Sequence, residues 1–350
     1  MIKVGILGFA HGHVFAFGGQ WLQHPEYGVE ITAGWDHNRK RLEESAEKLG
    51  IRVLYDTPQA LLASDVDAVV ITSETSYHCE LTELAAEAGK AIICYKPMAI
   101  TLDQADRMVA AVEKNSVPFT IGYQSRTDPQ NVDIRDKILS GDFGKVFLYR
   151  RRHCLSTHLW NGFPSMWHND PTLNRDIFAD DSAHPFDLIN WTFGLPESVM
   201  AEMTTARDPA VQNDTGVAVF RYQDGMLAEV TLQFTCTAAE ITTELYGERG
   251  AAAQYFGDAV STQLPHGKNG LKYYFRGDAN WSDSGIQSPE KHAERLGWQA
   301  KPFADFLNGK RGPICSVYDG RNCLKMVLAC YVSSREGRRV RLDDPKLYEV

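Results

Sequence analysis

Apolar and polar positions follow two different periods along this chain. In the first third, short apolar runs alternate with segments whose apolar residues recur every three or four positions. The runs Ile2 to Leu7, Val29 to Gly34, Ala68 to Thr72, Ala91 to Cys94 and Val117 to Ile121 read as strands apolar on both faces. Between them, Arg39 to Leu49 places Leu42, Ala46 and Leu49 on one helical face, with Gly50 as its stop. Glu80 to Ala88 repeats the pattern with Leu81, Leu84, Ala85 and Ala88, and Gly89 as its stop. Thr101 followed by Gln104 is a capping-box start for a further helix. Two-sided strands spaced by helices predict a parallel sheet covered on both faces.

The period changes after Tyr123. One helix, Asn131 to Leu139, precedes strand-like stretches at Lys145 to Arg152, Val199 to Met203, Gly216 to Tyr222 and Met226 to Cys236. In the last, Met226, Ala228, Val230, Leu232, Phe234 and Cys236 fall on one face, with Glu229, Thr231, Gln233 and Thr235 opposite. That alternation marks a strand with one covered face, and Asp224-Gly225 is a hairpin-turn signal. Segment 257–290, rich in Gly, Ser, Asp and Asn, reads as a long irregular loop. Lys301 to Leu307 and Asp319 to Ser334 close the chain as helices. The expected fold class is α/β: a doubly wound domain over 1–122, then an α/β domain over 123–350 with an open, mostly antiparallel sheet.

Composition narrows the partners. A chain of 350 residues, 43% hydrophobic, needs no disulfide or metal staple to fold. A net charge of −9 argues against nucleic acid or an anionic membrane surface. The one tight basic cluster, Arg150 to Arg152, lies in a strand, where neighbours face opposite ways, so surface charge is the simpler reading. No apolar run approaches the roughly 20 residues that span a bilayer. Met1-Ile2-Lys3 leads straight into a glycine-broken apolar run, so no secretory leader is expected. Seven scattered cysteines without a CxxC pair read as reduced thiols of a cytoplasmic protein.

The segment Gly5 to His13 follows a strand and precedes a helix-like stretch, which is the setting of a dinucleotide loop. Aligned as G-x-G-x-x-G it reads Gly8, Ala10, His13, with a bulky histidine at the third position. The alternative is a plain strand-to-helix turn. Asp36, at the end of the second strand, is placed to bind the ribose hydroxyls of an adenosine and to repel a 2′-phosphate, which favours NAD over NADP. Arg39 and Lys40 either reverse that preference, leaving NADP possible, or form a solvated first helical turn.

Further along, Asp67-Ala-Val-Val-Ile-Thr-Ser-Glu-Thr-Ser-Tyr-His78, Glu80 to Lys90 and Ala91-Ile-Ile-Cys-Tyr-Lys-Pro97 follow one another. This run resembles the glucose-fructose oxidoreductase / inositol dehydrogenase (Gfo/Idh/MocA) family. Gly122-Tyr-Gln-Ser-Arg126-Thr-Asp-Pro129 and Asp180-Asp-Ser-Ala-His184-Pro-Phe-Asp187 are similar to two further family segments, and Arg335 to Leu342 to its closing strand. The chain departs from the family pattern at three points: Tyr95 stands where Glu is usual before Lys-Pro, Ser182 replaces a glycine, and His13 fills the third loop position.

The resemblance implies an NAD(P)-dependent dehydrogenase acting on CH–OH groups of a sugar, polyol or related carbohydrate. Removing a hydride and a proton from an alcohol calls for a base near neutrality, and histidine titrates near pH 6.5. His184 is the candidate base, Asp180 its orienting or relaying carboxylate, and Lys96 the cation beside the substrate oxygen; the resemblance implies the same three roles. The candidate cofactor contacts are Gly8, Phe9, Ala10, His11 and His13, then Asp36 and His37, then Thr72, Ser73, Glu74 and His78, then Tyr95, Lys96 and Pro97, and finally Arg126. Arg126 either bridges to cofactor or substrate or pairs with an acid between domains. His78 either lines the nicotinamide pocket or caps the following helix, and Asp187 either binds substrate or caps a helix.

Loop 152–170 packs His153, His158, Trp160, Phe163, Trp167 and His168 into a short stretch. Aromatic faces and imidazoles suit a sugar, so Tyr123, His153, Trp160 and Trp167 join Lys96, Asp180 and His184 as candidate substrate contacts. The alternatives are a packed surface loop, a dimer contact, or a metal site from His153, His158, His168 and His184 with Asp180 or Asp181; the spacing fits no named metal motif, and none is assigned. An open second sheet implies a homodimer or homotetramer formed through it. Two other functions stay open: an NAD-using glycosidase or lyase with transient oxidation, and a non-catalytic nucleotide-binding regulator.

Overall fold

The computed structural model describes residues 1–237, 240–256, 270–289 and 292–350. They divide into two compact units, one of residues 1–127, 172–174 and 293–324, the other of 128–171, 175–292 and 325–350.

The first unit opens with β1 (Ile2–Leu7), α1 (Val14–Gln23), β2 (Val29–Trp35), α2 (Arg39–Leu49), β3 (Val53–Leu54), α3 (Pro58–Leu62) and β4 (Ala68–Ile71). It continues through α4 (His78–Glu87), β5 (Ala91–Tyr95), α5 (Leu102–Asn115) and β6 (Phe119–Gly122). The start and stop signals hold at the atomic level. Asn38 accepts the Arg41 amide and Gly50 ends α2 at φ 66°, while Thr101 and Gln104 form the reciprocal capping box of α5. The six strands are parallel in the order β3-β2-β1-β4-β5-β6. This is the doubly wound order, with its switch point at the carboxyl ends of β1 and β4. β3 is a two-residue edge strand that the apolar pattern does not announce. The core joins Val4, Ile6, Phe17, Trp21, Leu42, Val70, Ile93 and Tyr95 to Ala300 and Phe303 from later in the chain. Trp21 Nε1 donates to the Ala300 carbonyl at 2.8 Å, so the one polar atom of that ring is satisfied inside the core.

The second unit contains α6 (Pro129–Leu139), β7 (Val146–Cys154), α7 (Ile177–Phe193), β8 (Ser198–Thr204), β9 (Thr215–Arg221), β10 (Leu227–Gln233), β11 (Glu240–Gly247), β12 (Gly250–Phe256), β13 (Leu271–Phe275) and β14 (Ser282–Asp283). Later in the chain, α8 (His292–Gly297) and α9 (Ala300–Leu307) fall almost wholly in the first unit, α10 (Val317–Glu336) has residues in both, and β15 (Val340–Arg341) belongs to the second. The nine strands order as β14-β13-β12-β11-β7-β10-β9-β8-β15. All pairs are antiparallel except β7 with β10. The alternation along β10 is realised: Ala228, Val230 and Leu232 are fully buried, and Glu229 and Thr231 are not. Arg151 turns inward to Thr243 Oγ1 (2.7 Å), whereas Arg150 bridges Glu229 and Glu244 on the outer face.

One expectation needs correction. Of segment 257–290, residues 257–269 and 290 lie outside the described residues, and the described part holds strands β13 and β14 rather than irregular loop. The β11–β12 hairpin was also not expected. β12 begins Gly-Ala-Ala-Ala, a composition with little strand preference of its own, and pairing on both sides sets its conformation.

Candidate functional site

The loop after β1 is tied down at the switch point. Gly8 donates its N–H to the Trp35 carbonyl (2.8 Å), Thr72 Oγ1 donates to the Gly8 carbonyl (2.6 Å), and His11 N–H donates to the Thr72 carbonyl (2.9 Å). Gly8 has φ +83°, and a β-carbon there would meet Ser73 at 2.5 Å, so only glycine fits. The loop runs into α1, where the Val14, Phe15 and Ala16 amides donate to the His11, Gly12 and His13 carbonyls (3.3, 3.2 and 3.0 Å).

Two of the three departures from the family pattern touch each other. His13 Nδ1 lies 3.2 Å from the Tyr95 hydroxyl, and the His11 ring centroid is 4.6 Å from that of Tyr95. Gln299 Nε2 donates to the same hydroxyl (2.8 Å), and burial pushes the Tyr95 phenol well up. The histidine in place of glycine is therefore packed against the tyrosine in place of glutamate. Lys96, next in line, is buried, and its bond to Pro97 is cis.

Asp36 is buried and carries four donors. Phe9 and Asn38 donate backbone N–H at 2.7 Å each, and Arg41 donates Nε at 2.7 Å and Nη2 at 2.8 Å. Arg41 Nη1 donates to Glu74 Oε1 at 2.8 Å. Burial works against the Arg41 charge, but the bonds to Asp36 and Glu74 outweigh it and raise its pKa. His37 flanks the pair, 3.8 Å from Asp36 and 3.6 Å from Glu74, with its ring against Tyr77. Arg41 escaped the sequence reading, which considered only Arg39 and Lys40. The start signal of α2 could have found it, because a residue three past the N-cap points back toward the strand that precedes the helix.

His78 is not a helix cap. It is the first residue of α4, fully buried, with Nδ1 2.8 Å from the Pro97 carbonyl and Nε2 3.1 Å from the Ser73 carbonyl. It thereby links the ends of β4 and β5. Burial lowers its pKa, against the pull of the two carbonyls. Arg126 donates to the Ile314 carbonyl (3.0 Å) and pairs with Asp319 (3.3 Å), an acid of the same unit. Tyr123 is buried, its hydroxyl donating to Cys323 Sγ at 3.5 Å.

In the second unit, Asp176 caps α7 by accepting the Ala179 N–H (2.9 Å) and also accepts from Asn213 Nδ2 (2.7 Å). Asp180 and His184 follow in the first two turns of α7, both buried and one turn apart, so they share a face. His168 Nδ1 lies 3.2 Å from Asp180 Oδ2, and the Trp167 ring stacks on His168 at 3.9 Å. His184 Nε2 lies 3.6 Å from Asp181 Oδ1, and the His153 ring, from β7, lies parallel to it at 6.0 Å. Asp187 sits fully buried in the interior of α7, away from the N-cap position, which Asp176 fills. Trp160 packs edge-on to Phe163. Among the described residues, His158 Nδ1, Trp160 Nε1, Asn169 Oδ1 and Ser182 Oγ are buried without a hydrogen-bond partner. A cavity of about 210 Å³ is lined by His158, Phe163, Asp208, Asp214 and Thr235.

Among the described residues, no group of three or more His, Cys, Asp or Glu is placed to hold a metal, and no helix is long and apolar enough to cross a membrane. None of the seven cysteines is in a disulfide. Burial pushes the Cys79 thiol up to about 11 and Cys94 further, which suits neither to nucleophilic chemistry.

Comparison with known proteins places this arrangement. Residues 2–123 match the oxidoreductase family with an NAD-binding Rossmann fold, and residues 132–253 match the GFO/IDH/MocA C-terminal domain. The chain is 27% identical to the D-apiose dehydrogenase of Paraburkholderia graminis, over 90% of this chain and 84% of that protein. It is 25% identical to the myo-inositol 2-dehydrogenase of Thermotoga maritima, over 88% and 90%. An oxidoreductase from Agrobacterium radiobacter, solved in complex with NAD+, L-tartaric acid and magnesium, shares the fold at TM-score 0.81 and 22% identity, covering 97% and 98% of the two chains. The chain belongs to the Gfo/Idh/MocA oxidoreductases, and its first unit carries their NAD-binding Rossmann fold.

Proposed function

We propose that the protein is an NAD-dependent dehydrogenase that oxidises a secondary alcohol of a sugar, polyol or related carbohydrate. Nicotinamide, when bound, accepts the hydride. Gly8, Phe9, Ala10 and His11 in the loop before α1 would hold the pyrophosphate, the Asp36–Arg41 pair would meet the adenosine ribose, and Thr72, Ser73, Lys96 and Pro97 would hold the nicotinamide half. His184 takes the alcohol proton, the Lys96 ammonium stabilises the oxygen as that proton leaves, and the Asp180 carboxylate stabilises the imidazolium that forms. His168 Nδ1 lies 3.2 Å from the same carboxylate and holds it in place.

The observation that supports this chemistry most directly is the acid and imidazole one turn apart on α7, buried, each with a second ionisable partner at 3.2–3.6 Å. The unpartnered polar atoms of His158, Trp160, Asn169 and Ser182 support a polyhydroxylated substrate, because hydroxyl groups can both donate and accept. The roles assigned to 1–122 and 123–350, nucleotide binding against substrate binding and assembly, belong to the same proposal. So does a homodimer or homotetramer through the outer face of the second sheet, where Phe147, Met200, Val217, Tyr246, Tyr255 and Tyr274 are exposed.

The test is a panel of inositols, pentoses, hexoses and their polyols incubated with NAD, followed at the NADH absorbance. Stoichiometric NADH accumulation with one or a few of them is the expected result. Product formation without net NADH would favour the transient-oxidation chemistry instead, and no turnover with any of them would overturn the assignment.

A further inference from the structure

At the adenosine end of the site, the lone pairs of Asp36 are already in use. Two of its four donors are backbone amides fixed by the Gly8 loop and the start of α2. The other two belong to one guanidinium, gripping both carboxylate oxygens in a fork. A carboxylate offers about four lone-pair directions, so a ribose diol finds none open there. Arg41 is moreover held from its other side by Glu74. Glu74 is itself buried, and among the described residues its Oε2 has no hydrogen-bond partner. The neighbouring cations are engaged elsewhere: Arg39 is exposed and pairs with Glu43 and Asp56, and Lys40 lies beside Glu44. One cation, clamped between two buried carboxylates, sets the charge that an incoming nucleotide meets.

We propose that Arg41 is the specificity-determining residue for the cofactor: seated on Asp36 it neutralises the acid and offers its guanidinium to a 2′-phosphate, and the diol of NAD reaches Asp36 only by displacing it. The inference deepens the dinucleotide reading of the Gly8 loop and rests on it. The protein then binds both dinucleotides, because the acid that should exclude NADP arrives already paired. Glu74 keeps hold of Arg41 when it leaves Asp36, so the switch is a change of partner for the guanidinium rather than its release to solvent.

The test needs no sugar substrate. Wild type and Arg41→Ala are titrated with NADH and with NADPH, by nicotinamide fluorescence and by calorimetry, at low and high salt. Wild type should bind both. Arg41→Ala should weaken NADPH by about tenfold or more while leaving NADH unchanged or tighter, as expected for loss of one charge-assisted fork. The salt dependence of NADPH binding should shrink in the variant. Arg41→Gln, neutral but of similar reach, guards against an unfolded alanine variant, with the thermal midpoint as the check. An unchanged or narrower NADH-to-NADPH ratio in both variants overturns the inference while leaving the dehydrogenase assignment standing. A wild type that binds neither nucleotide overturns the dinucleotide reading and this inference together.

Discussion

The nucleotide end of the first unit and the histidine-rich loop of the second unit meet polar ligands in opposite ways. Around Gly8, Asp36 and Thr72, most contacts are made by or to the main chain, and Asp36 has all its donors in place. Around loop 152–170 and α7, side chains dominate, and among the described residues buried polar atoms of His158, Trp160, Asn169 and Ser182 lack a hydrogen-bond partner. The main-chain loop of the first region is held in place before any nucleotide arrives, and the proposed Arg41 exchange is its one adjustable contact. The second leaves its hydrogen-bonding capacity open, as a site does when it must read the hydroxyl pattern of one carbohydrate.

The largest expected effect tests the chemistry of both regions. Lys96→Met and His184→Asn should each lower kcat by about 10²- to 10⁴-fold, the range for a lost electrostatic stabiliser or general base. Calorimetric titration should show NAD still bound by His184→Asn. Should either variant keep near-wild-type turnover, its residue has no part in the reaction. Next in size, Trp160→Phe keeps an aromatic ring at the position but replaces the indole with a smaller phenyl and removes the N–H. It should raise KM for the sugar by about tenfold, roughly the worth of one hydrogen bond, with KM for NAD unmoved. An equal change in both KM values would mean the loop is packing and not a substrate wall.

His78 sharpens the comparison from the side of stability. Its pKa in the folded protein is lowered by burial, so the unfolded chain binds a proton that the folded chain resists. In the window just below pH 6.5 the unfolded state therefore holds more protons, and stability rises with pH. The contribution is fully present above that value and is lost as pH falls through the folded pKa. The thermal midpoint of wild type should drop between pH 7.5 and 5.5, and His78→Gln, which can still donate to a carbonyl, should show a shallower drop. Parallel curves for the two proteins would remove His78 as the source.

How legible each region was follows from the same contrast. Strand ends, caps and stops are local, so β1, β2, α2 and the Thr101–Gln104 capping box could be read from neighbouring residues. The doubly wound order followed from the alternation of strand and helix patterns. Contacts made across the chain could not be read this way. Arg41 looks like one more surface cation of a charged helix until α2 is folded back onto β2. His168 was visible as one of several histidines, but its place beside Asp180 depends on how loop 152–170 returns to α7. The alanines of β12 carry no strand signal of their own, and the sheet imposes it.

The smallest effect concerns the two departures that meet at the Gly8 loop. His13 and Tyr95 lie far apart in sequence, and each looks like a defect against its own motif. Together they form a contact: the imidazole edge meets the phenol, the ring centroids lie 5.3 Å apart and nearly perpendicular, and Gln299 fixes the hydroxyl from the other side. If each residue is tolerated because of the other, their effects on stability are not additive. A double-mutant cycle with His13→Gly, Tyr95→Phe and the pair should give a coupling energy of about 1 kcal/mol, the scale of an edge-to-face pair with a hydrogen bond. His13→Gly alone restores the usual loop residue, yet it should destabilise, because it strips one face from a buried phenol. Additive midpoints in urea would show that the two residues are energetically uncoupled and that the loop accommodates histidine without help from Tyr95.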